Sequence, residues 1–216
     1  GKANPFVSRG GLKLEKAIAA FDDTVEGRVC MDIGAAAGGF TDVLLKNGAS
    51  HVYAIDVGYG QFDWGLRNDP RVTLMERTNA RYVTREQLPL HPTMTVMDVS
   101  FISIKLILPV AAEIMGPEGC FYTLVKPQFE AGRDRVGKKG VVRDPKVHED
   151  VLMDIVNFAP TFGWQVKQLA YSPITGPEGN IEFLAHIVPQ DEHISTITPE
   201  FISRLVAQAH EGLKKE

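Results

Sequence analysis

The sequence predicts an α/β fold in which a mostly parallel sheet of seven strands, with an antiparallel last strand, carries helices on both faces. Short β-branched runs alternate with helical patterns along most of the chain, as βαβ units require. Two strand-like runs near the end follow each other without a helix, which indicates an antiparallel pair. The 216 residues, 44% of them hydrophobic, suffice for one domain with a substantial core.

Each element follows from a local pattern. The first helix is indicated by Leu14, Ala17 and Ile18, whose helical spacing gives one apolar face. Gly48 and Gly116 end the helices that precede them. The predicted strands are residues 28–33, 51–57, 72–76, 95–99, 120–126, 165–171 and 181–187, and the predicted helices are residues 11–21, 39–47, 104–115, 145–159 and 199–215.

Composition and charge exclude several classes of protein. The chain has no apolar run long enough to cross a bilayer and no signal-peptide region, so we expect a cytoplasmic protein without a membrane partner. A net charge of −4 argues against holding nucleic acid through overall positive charge. Cys30 and Cys120 lie in apolar strands and are expected to be core thiols. The histidines lack ligand spacing, so no metal site is predicted.

A glycine-rich turn joins the first predicted strand to its helix. Small residues there allow a ligand to approach the backbone at the carboxyl edge of the sheet. The G-x-x-x-G-G spacing differs from the G-x-G-x-x-G of dinucleotide-binding folds and favours the methionine part of S-adenosylmethionine, with Asp32 near the sulfonium. Packing alone is the alternative. The predicted cofactor contacts of this turn are Asp32, Gly34, Ala35, Ala36, Gly38, Gly39 and Phe40.

Polar residues at the ends of later strands extend the predicted cofactor site. Asp56, next to Val57, can accept hydrogen bonds from ribose hydroxyls, although a strand-end aspartate is often only a turn former. Thr78 and Asn79 can offer polar groups to adenine, and a capping or turn role is about as well supported. Asp98, at the end of the fourth strand, completes the set.

A lysine closes the apolar fifth strand. Lys126 and Asp98 both lie at the carboxyl edge of the predicted sheet, so they can converge at the cofactor crevice. Desolvation and a second nearby cation would favour the neutral form that a general base needs. A snorkelling or ion-paired lysine at the sheet edge is the alternative.

The densest basic stretch lies in a long glycine-rich loop, residues 128–144. Such a loop can contact RNA phosphates, while a solvated charged loop is the common alternative. The predicted RNA contacts are Arg9 near the N-terminus and Arg133, Arg135, Lys138, Lys139 and Arg143 in the loop.

Together, six motifs resemble the TlyA or hemolysin A family of FtsJ-like ribose methyltransferases. They are SRGGLKLEK at 8–16, DIGAAAGGFTD at 32–42, AIDVGYGQ at 54–61, TNAR at 78–81, DVSFIS at 98–103 and LVKPQFE at 124–130. The resemblance covers almost the whole chain. It implies one FtsJ-like domain over residues 1–216, with the Rossmann-like fold of class I S-adenosylmethionine-dependent methyltransferases. It also implies a catalytic tetrad, whose matching positions are Lys13, Asp98, Lys126 and Glu182.

The resemblance implies partners as well. The expected substrate is the ribose 2′-hydroxyl of ribosomal RNA, on cytidine, in free RNA or in ribosomal subunits. An S4-type RNA-binding domain is expected upstream in the full-length protein. Ala36 and Ala37 depart from the family, whose members commonly carry small hydroxyl residues there, and this affects particular hydrogen bonds to the cofactor rather than the turn itself.

In the expected reaction the ribose oxygen attacks the sulfonium methyl group while Lys126 takes its proton. Lys13 would keep Lys126 neutral and place the nucleotide, and Glu182 and Asp98 would hold the ammonium groups. The glycine spacing opposes a nicotinamide-dependent oxidoreductase, the intact tetrad opposes a non-catalytic RNA-binding or ribosome-assembly factor, and the lack of a membrane span opposes a membrane-active hemolysin.

Overall fold

The computed structural model describes residues 4–193 and 195–213. Its strands are β1 Val29–Ile33, β2 His51–Ile55, β3 Val72–Met75, β4 Met94–Met97, β5 Cys120–Val125, β6 Trp164–Tyr171 and β7 Phe183–Pro189. Its helices are α1 Gly11–Ala20, α2 Gly39–Lys46, α3 Trp64–Arg67, α4 Leu108–Met115, α5 Pro127–Glu130, α6 Pro145–Phe158 and α7 Pro199–Leu213.

All seven strands form one sheet in the order β3-β2-β1-β4-β5-β7-β6. The strands β1 to β5 pair in parallel, and β7 runs antiparallel between β5 and β6. This confirms the predicted mostly parallel sheet with an antiparallel last strand. Because the chain leaves β1 toward β2 on one side and reaches β4 on the other, a crevice forms at the carboxyl ends of these strands.

Helices cover both faces of the sheet, as predicted. Alternate strand residues point to opposite faces, and apolar side chains on each face pack under helices. Met31 and Ile33 of β1 belong to the core under α4, α6 and α7, whereas Cys30 belongs to the core under α1 and α2. Cys120 lies in the second core as well. Burial raises the pKa of Cys30 to about 12, and it raises the pKa of Cys120 too, which confirms two unreactive core thiols.

The structure differs from the predicted elements mainly where elements end or are very short. The strands β2, β3 and β5 stop just before Asp56, Glu76 and Lys126, so these polar residues lie beyond the backbone ladder. The predicted helix over 104–115 is a 3₁₀ turn followed by α4, with Pro109 in its first turn. Residues 214–215 of the predicted last helix lie outside the described residues.

Within the described ranges, no helix combines the length and the apolar character that crossing a membrane requires. In the same part of the chain, Asp22, Asp23 and His186 form one group of potential metal ligands. The buried His186 ring already contacts Asp23 at 2.6 Å and Gln168 at 2.7 Å. These hydrogen bonds anchor the segment after α1 to β6 and β7.

Candidate active site

Two adjoining cavities open at the carboxyl ends of the parallel strands. The larger, about 590 Å³, lies beyond β1, β2 and β4, and the smaller, about 480 Å³, lies between the glycine turn, the start of α1 and the β6–β7 connection. Gly34, Ala36, Gln61 and Asp98 line both cavities, so they form one cleft. The cleft lies where the strand order reverses, which is the usual ligand position in open α/β sheets.

The glycine turn after β1 forms one wall of this cleft. Gly34 has a φ of 85°, and a Cβ atom there would collide with the Asp98 carbonyl oxygen. Ala36 also has a positive φ, 47°, and its N–H donates to Asp56 Oδ1 at 3.3 Å. The turn therefore brings its backbone close to the ends of both β2 and β4, a path that requires glycine at the tightest point.

Not every residue predicted from this turn faces the cleft. The predicted residues that line it are Gly34, Ala35, Ala36, Gly39 and Phe40. Gly38, with a φ of 102°, lies against Phe62 and Leu66, whose atoms would be 3.0 Å and 2.7 Å from a Cβ. Its glycine therefore allows close packing against α3. Asp32 is fully buried below the turn and lines neither cavity.

Asp32 is held below the cleft by one hydrogen bond. Thr41 Oγ1 donates to its Oδ2 at 2.7 Å, and its Oδ1 has no hydrogen-bond partner among the described residues. Burial raises the pKa of Asp32 to about 7, the Thr41 hydrogen bond opposes this shift, and the Asp98 charge adds to it. The carboxyl group can therefore respond to a positive charge placed above it.

Asp56 lines the larger cavity immediately after β2. Its Oδ1 accepts from the Ala36 N–H, and its Oδ2 accepts from the Gly58 N–H at 3.0 Å. These hydrogen bonds fix the carboxylate at the cavity wall. Val57, beside it, also lines the cavity and is 73% exposed, so it offers an uncovered apolar surface there.

Thr78 and Asn79 also line the larger cavity, and both have local structural partners. Thr78 Oγ1 donates to the Glu76 carbonyl group at 2.8 Å, and Asn79 Oδ1 accepts from the Arg81 N–H at 3.0 Å at the start of a 3₁₀ turn. The turn and capping roles that the sequence left open are therefore present, next to the cavity.

The four residues of the predicted tetrad form two ion pairs, in each of which one residue, Lys13 or Asp98, lines the cleft, while Lys126 and Glu182 line neither cavity. Lys13 Nζ contacts Glu182 Oε1 at 2.7 Å, and Lys126 Nζ contacts Asp98 Oδ1 at 2.5 Å. Lys13 and Lys126 are only 8% and 7% exposed, and Glu182 is completely buried. Because a charge buried this deeply is costly without a partner, each lysine depends on its carboxylate.

Two polar residues that sequence reasoning missed form hydrogen bonds with residues of the tetrad. Ser100 Oγ accepts from Lys126 Nζ at 3.1 Å, and Gln128 Nε2 donates to Glu182 Oε2 at 2.9 Å. Ser100 follows Asp98 by two positions and Gln128 follows Lys126 by two. A polar side chain two positions after a charged candidate residue at the end of a strand is the signal that could have revealed both.

The residues predicted to contact RNA divide between the cleft and its surroundings. Arg9 lines the smaller cavity. Arg135 pairs with Asp150 at 2.9 Å, and Arg143 donates to the Lys138 carbonyl group at 3.3 Å, so these two arginines have local partners. The loop residues Arg133, Arg135, Lys138, Lys139 and Arg143 line neither of the two cavities that make up the cleft.

Exposed aromatic side chains beside the cleft were also missed. Phe101, which lines the larger cavity, is 87% exposed, has a φ of 71° and contacts the Phe129 ring at 5.1 Å between centroids. Arg77 stacks on exposed Tyr59 at 4.1 Å from the ring centroid. Aromatic faces and arginine planes of this kind are surfaces on which nucleobases stack.

Comparison with known proteins decides the family. The chain matches the model for FtsJ-like methyltransferases over residues 6–188. It belongs to this family. It is 45% identical to the 16S/23S rRNA (cytidine-2′-O)-methyltransferase TlyA of Mycobacterium tuberculosis, over 87% of this chain and 70% of that protein. It is 50% identical to YqxC of Bacillus subtilis, named as a candidate rRNA methyltransferase, over 100% of this chain and 78% of that protein.

Solved structures agree with the family. A structure from Streptococcus thermophilus, named as a candidate hemolysin, has a TM-score of 0.94 and 50% identity, covering 100% of this chain and 78% of that one. A candidate S-adenosylmethionine-dependent methyltransferase from Listeria monocytogenes has a TM-score of 0.63 at 14% identity, covering 85% of this chain and 100% of that one. The second similarity concerns the fold alone, and it confirms the Rossmann-like class I methyltransferase fold.

This FtsJ-like methyltransferase uses S-adenosylmethionine, and the residues of the cleft fit that group. Asp56 presents a fixed carboxylate in the larger cavity, where it can accept hydrogen bonds from nucleoside hydroxyls. Gly34, which lines both cavities, has no side chain, and a Cβ atom there would collide with the Asp98 carbonyl oxygen. Asp98 at the cleft supplies negative charge for a cofactor that carries positive charge, and Asp32 below it, whose pKa is raised to about 7, adds to that charge only when it is ionised.

Proposed function

We propose that this chain transfers the methyl group of S-adenosylmethionine to a ribose 2′-hydroxyl of ribosomal RNA, with cytidine as the target nucleoside. The observation that carries the proposal is that two ion pairs, Lys13–Glu182 and Lys126–Asp98, lie at the cofactor cleft. The names of the TlyA relatives from Mycobacterium tuberculosis and Campylobacter jejuni, which are 45% and 34% identical to this chain, support the substrate and the nucleoside.

The reaction needs a group that removes the proton of the hydroxyl, because a ribose hydroxyl is a weak acid. The bound cofactor supplies an electrophilic methyl group on a positively charged sulfur. In our proposal Lys126 first releases one ammonium proton to water and then accepts the hydroxyl proton as the oxygen attacks, which restores its ion pair with Asp98. Ser100 fixes the direction of the lysine nitrogen through its hydrogen bond.

The second ion pair would place the nucleotide. Lys13 lines the smaller cavity, beside Arg9 and the Ile174–Pro177 part of the β6–β7 connection. In our proposal its ammonium group contacts the sugar and phosphate of the target nucleotide beside the cofactor. Glu182 holds that ammonium group from below, fully out of solvent. Orientation of this kind makes a large contribution to two-substrate reactions.

We also propose that RNA is held by local surfaces, since the net charge of the chain is −4. Phe101 and the Arg77–Tyr59 pair would contact nucleobases near the cleft, and Arg9 and the basic loop would contact phosphates. An upstream S4-type domain in the full-length protein would add phosphate contacts. Ribosomal RNA or ribosomal subunits in the cytoplasm are the partners that this proposal requires.

The test is methylation of ribosomal RNA and of ribosomal subunits from a strain that lacks the gene. The chain is incubated with cofactor carrying a labelled methyl group, and the digested nucleosides are identified by mass spectrometry. We expect label in 2′-O-methylcytidine. Label in a methylated base, or none in either RNA preparation, contradicts the proposal. Calorimetry with nicotinamide dinucleotide as the control ligand separates this function from an oxidoreductase.

A further inference from the structure

The carboxylate of Glu182 is enclosed on three sides. Its Oε1 accepts from Lys13 at 2.7 Å, and its Oε2 accepts from Gln128 at 2.9 Å. On a third side, a Cβ atom at Gly176 would collide with the carboxylate. Since both oxygens have donors and the residue is completely buried, the carboxylate is fixed in one orientation. Its role is therefore to hold the groups around it.

Gln128 connects the two ion pairs. It lies on α5, two residues after Lys126, and Lys126 is the cap residue of this helix. The Phe129 N–H donates to the Lys126 carbonyl group at 2.9 Å. The side chain that contacts Glu182 is thus attached to the same turn that presents Lys126.

The turn itself is held rigidly on its other side. Glu130, the last residue of α5, accepts from Ser103 Oγ at 2.6 Å and from the Ile104 N–H at 2.9 Å. These hydrogen bonds connect the segment after β5 to the segment after β4, which carries Asp98. The backbone that supports Gln128 therefore has little freedom, and the reach of its amide toward Glu182 is fixed.

The amide of Gln128 can face Glu182 in only one direction. Its Oε1 is one of three buried side-chain polar atoms that lack a hydrogen-bond partner in the described part of the chain. Rotating the amide would place this oxygen against a carboxylate, with two acceptors facing each other. Although an unpaired buried acceptor is unfavourable, the chain keeps it together with the donation to Glu182.

We propose that Gln128 is a positioning residue of the methyl-transfer site. It acts through Glu182 on Lys13 and keeps the ammonium groups of Lys13 and Lys126 in a fixed position relative to each other. The inference rests on the proposed function and deepens it, because it adds a residue outside the Lys-Asp-Lys-Glu tetrad. Without the amide donor, Oε2 of Glu182 loses its partner, the carboxylate rotates, and Lys13 moves with it.

Two substitutions separate donation from packing. Gln128→Glu keeps the size of the side chain but replaces the amide donor by a carboxyl group, which can donate to Glu182 only when it is protonated, and Gln128→Leu removes both polar atoms. In both variants we expect kcat to fall roughly 10- to 100-fold, the effect of losing one hydrogen bond to a charged group, while the Kd of S-adenosylmethionine stays unchanged. Gln165→Leu is the matched control, since Gln165 donates to Asp191 at 3.1 Å outside the cleft. It should leave kcat unchanged.

A second measurement needs no substrate. A buried, hydrogen-bonded lysine ammonium group exchanges its protons slowly and gives a ¹H–¹⁵N NMR signal, which Lys13→Arg assigns. We expect this signal to be lost or shifted in the Gln128 variants and kept in Gln165→Leu. If Gln128→Leu fails to fold, Gln128→Asn, whose amide is too short to reach Glu182, replaces it.

The two measurements also separate this inference from the proposed function. A wild-type chain that methylates no RNA, but whose Lys13 signal depends on Gln128, contradicts the function and supports the positioning role. Near-normal kcat in Gln128→Leu, or in Gln128→Asn where it replaces that variant, means that the residue only fills space, and it overturns the inference. An unchanged Lys13 signal in every Gln128 variant overturns it as well.

Discussion

The two ion pairs of the site differ in how they are exposed and in what surrounds them. In Lys13–Glu182 the side chains are 10% and 0% exposed, and the carboxylate is enclosed by Gln128 and Gly176. In Lys126–Asp98 they are 8% and 24% exposed, and Asp98 lines both cavities. In the open pair, Lys126–Asp98, the carboxylate faces the cleft, whereas in the closed pair, Lys13–Glu182, only the lysine does. Our proposal gives proton transfer to the open pair and positioning to the closed one.

The largest expected effect comes from the open pair. Lys126→Ala should lower single-turnover methyl transfer by on the order of 10² to 10⁴, the usual contribution of a general base, and leave cofactor affinity nearly unchanged. Calorimetry with the cofactor and a methylation time course measure the two quantities. Lys146→Ala, which removes an exposed lysine paired with Asp150, is the matched control.

A structural role for Lys126 would give a different result. If it served only as a cation at the strand end, Lys126→Ala would be less stable and would keep activity in proportion to its folded fraction. Thermal unfolding of the same samples distinguishes these outcomes. A well-folded Lys126→Ala protein with near-normal turnover would remove Lys126 from the mechanism.

The closed pair should dominate in stability. Glu182→Ala leaves Lys13 buried without a partner, and we expect a loss of about 3–5 kcal/mol in the free energy of unfolding. Asp98→Ala should cost less, because water reaches this position and Ser100 still accepts from Lys126. Urea unfolding of both variants measures the difference. Equal losses would mean that the two pairs do not differ as their burial indicates.

A double substitution sharpens this result. Lys13→Met combined with Glu182→Leu replaces the buried pair by apolar side chains of similar size, which often restores stability. We expect most of the lost stability to return while methyl transfer stays low, because the positioning ammonium group is absent. Recovery of turnover along with stability would show that the closed pair is needed for folding alone.

The sequence predicted the open pair from local pattern and the closed pair only by resemblance, for a physical reason. Asp98 and Lys126 each end an apolar strand, so their meeting at one edge follows from a parallel sheet. Lys13 and Glu182 are 169 positions apart, on a helix and before an antiparallel strand, and no local pattern reports such a contact. Gly38 was expected in the cofactor site, and it lies instead against α3, a helix of four residues that is too short to show periodicity.

Asp32, below the cleft, gives an effect that appears only as a pH dependence of stability. Its pKa is raised from 3.8 to about 7, chiefly by burial. Between these values the folded protein holds a proton that the unfolded chain has lost, so Asp32 makes stability fall as pH rises through this window. His148 acts in the opposite sense, since burial lowers its pKa to about 4 and its contribution is lost as pH falls.

Asp32→Asn isolates the contribution of Asp32, because His148 is present in both proteins and cancels in their difference. We expect the free energy of unfolding of Asp32→Asn, relative to wild type, to increase from about pH 4 to pH 7 and then to level off. The slope is at most that of one proton, about 1.4 kcal/mol per pH unit. Urea unfolding at several pH values measures it. Asp98→Asn, studied in the same way, removes a charge that raises the pKa of Asp32, so the fall in stability should end at lower pH than in wild type, while its beginning, set by the unfolded chain, stays the same. If the difference in free energy of unfolding between Asp32→Asn and wild type does not change with pH, Asp32 is ionised in the folded protein over the whole range. A positive charge near Asp32, other than Lys126 of the open pair, would then have to stabilise its carboxylate.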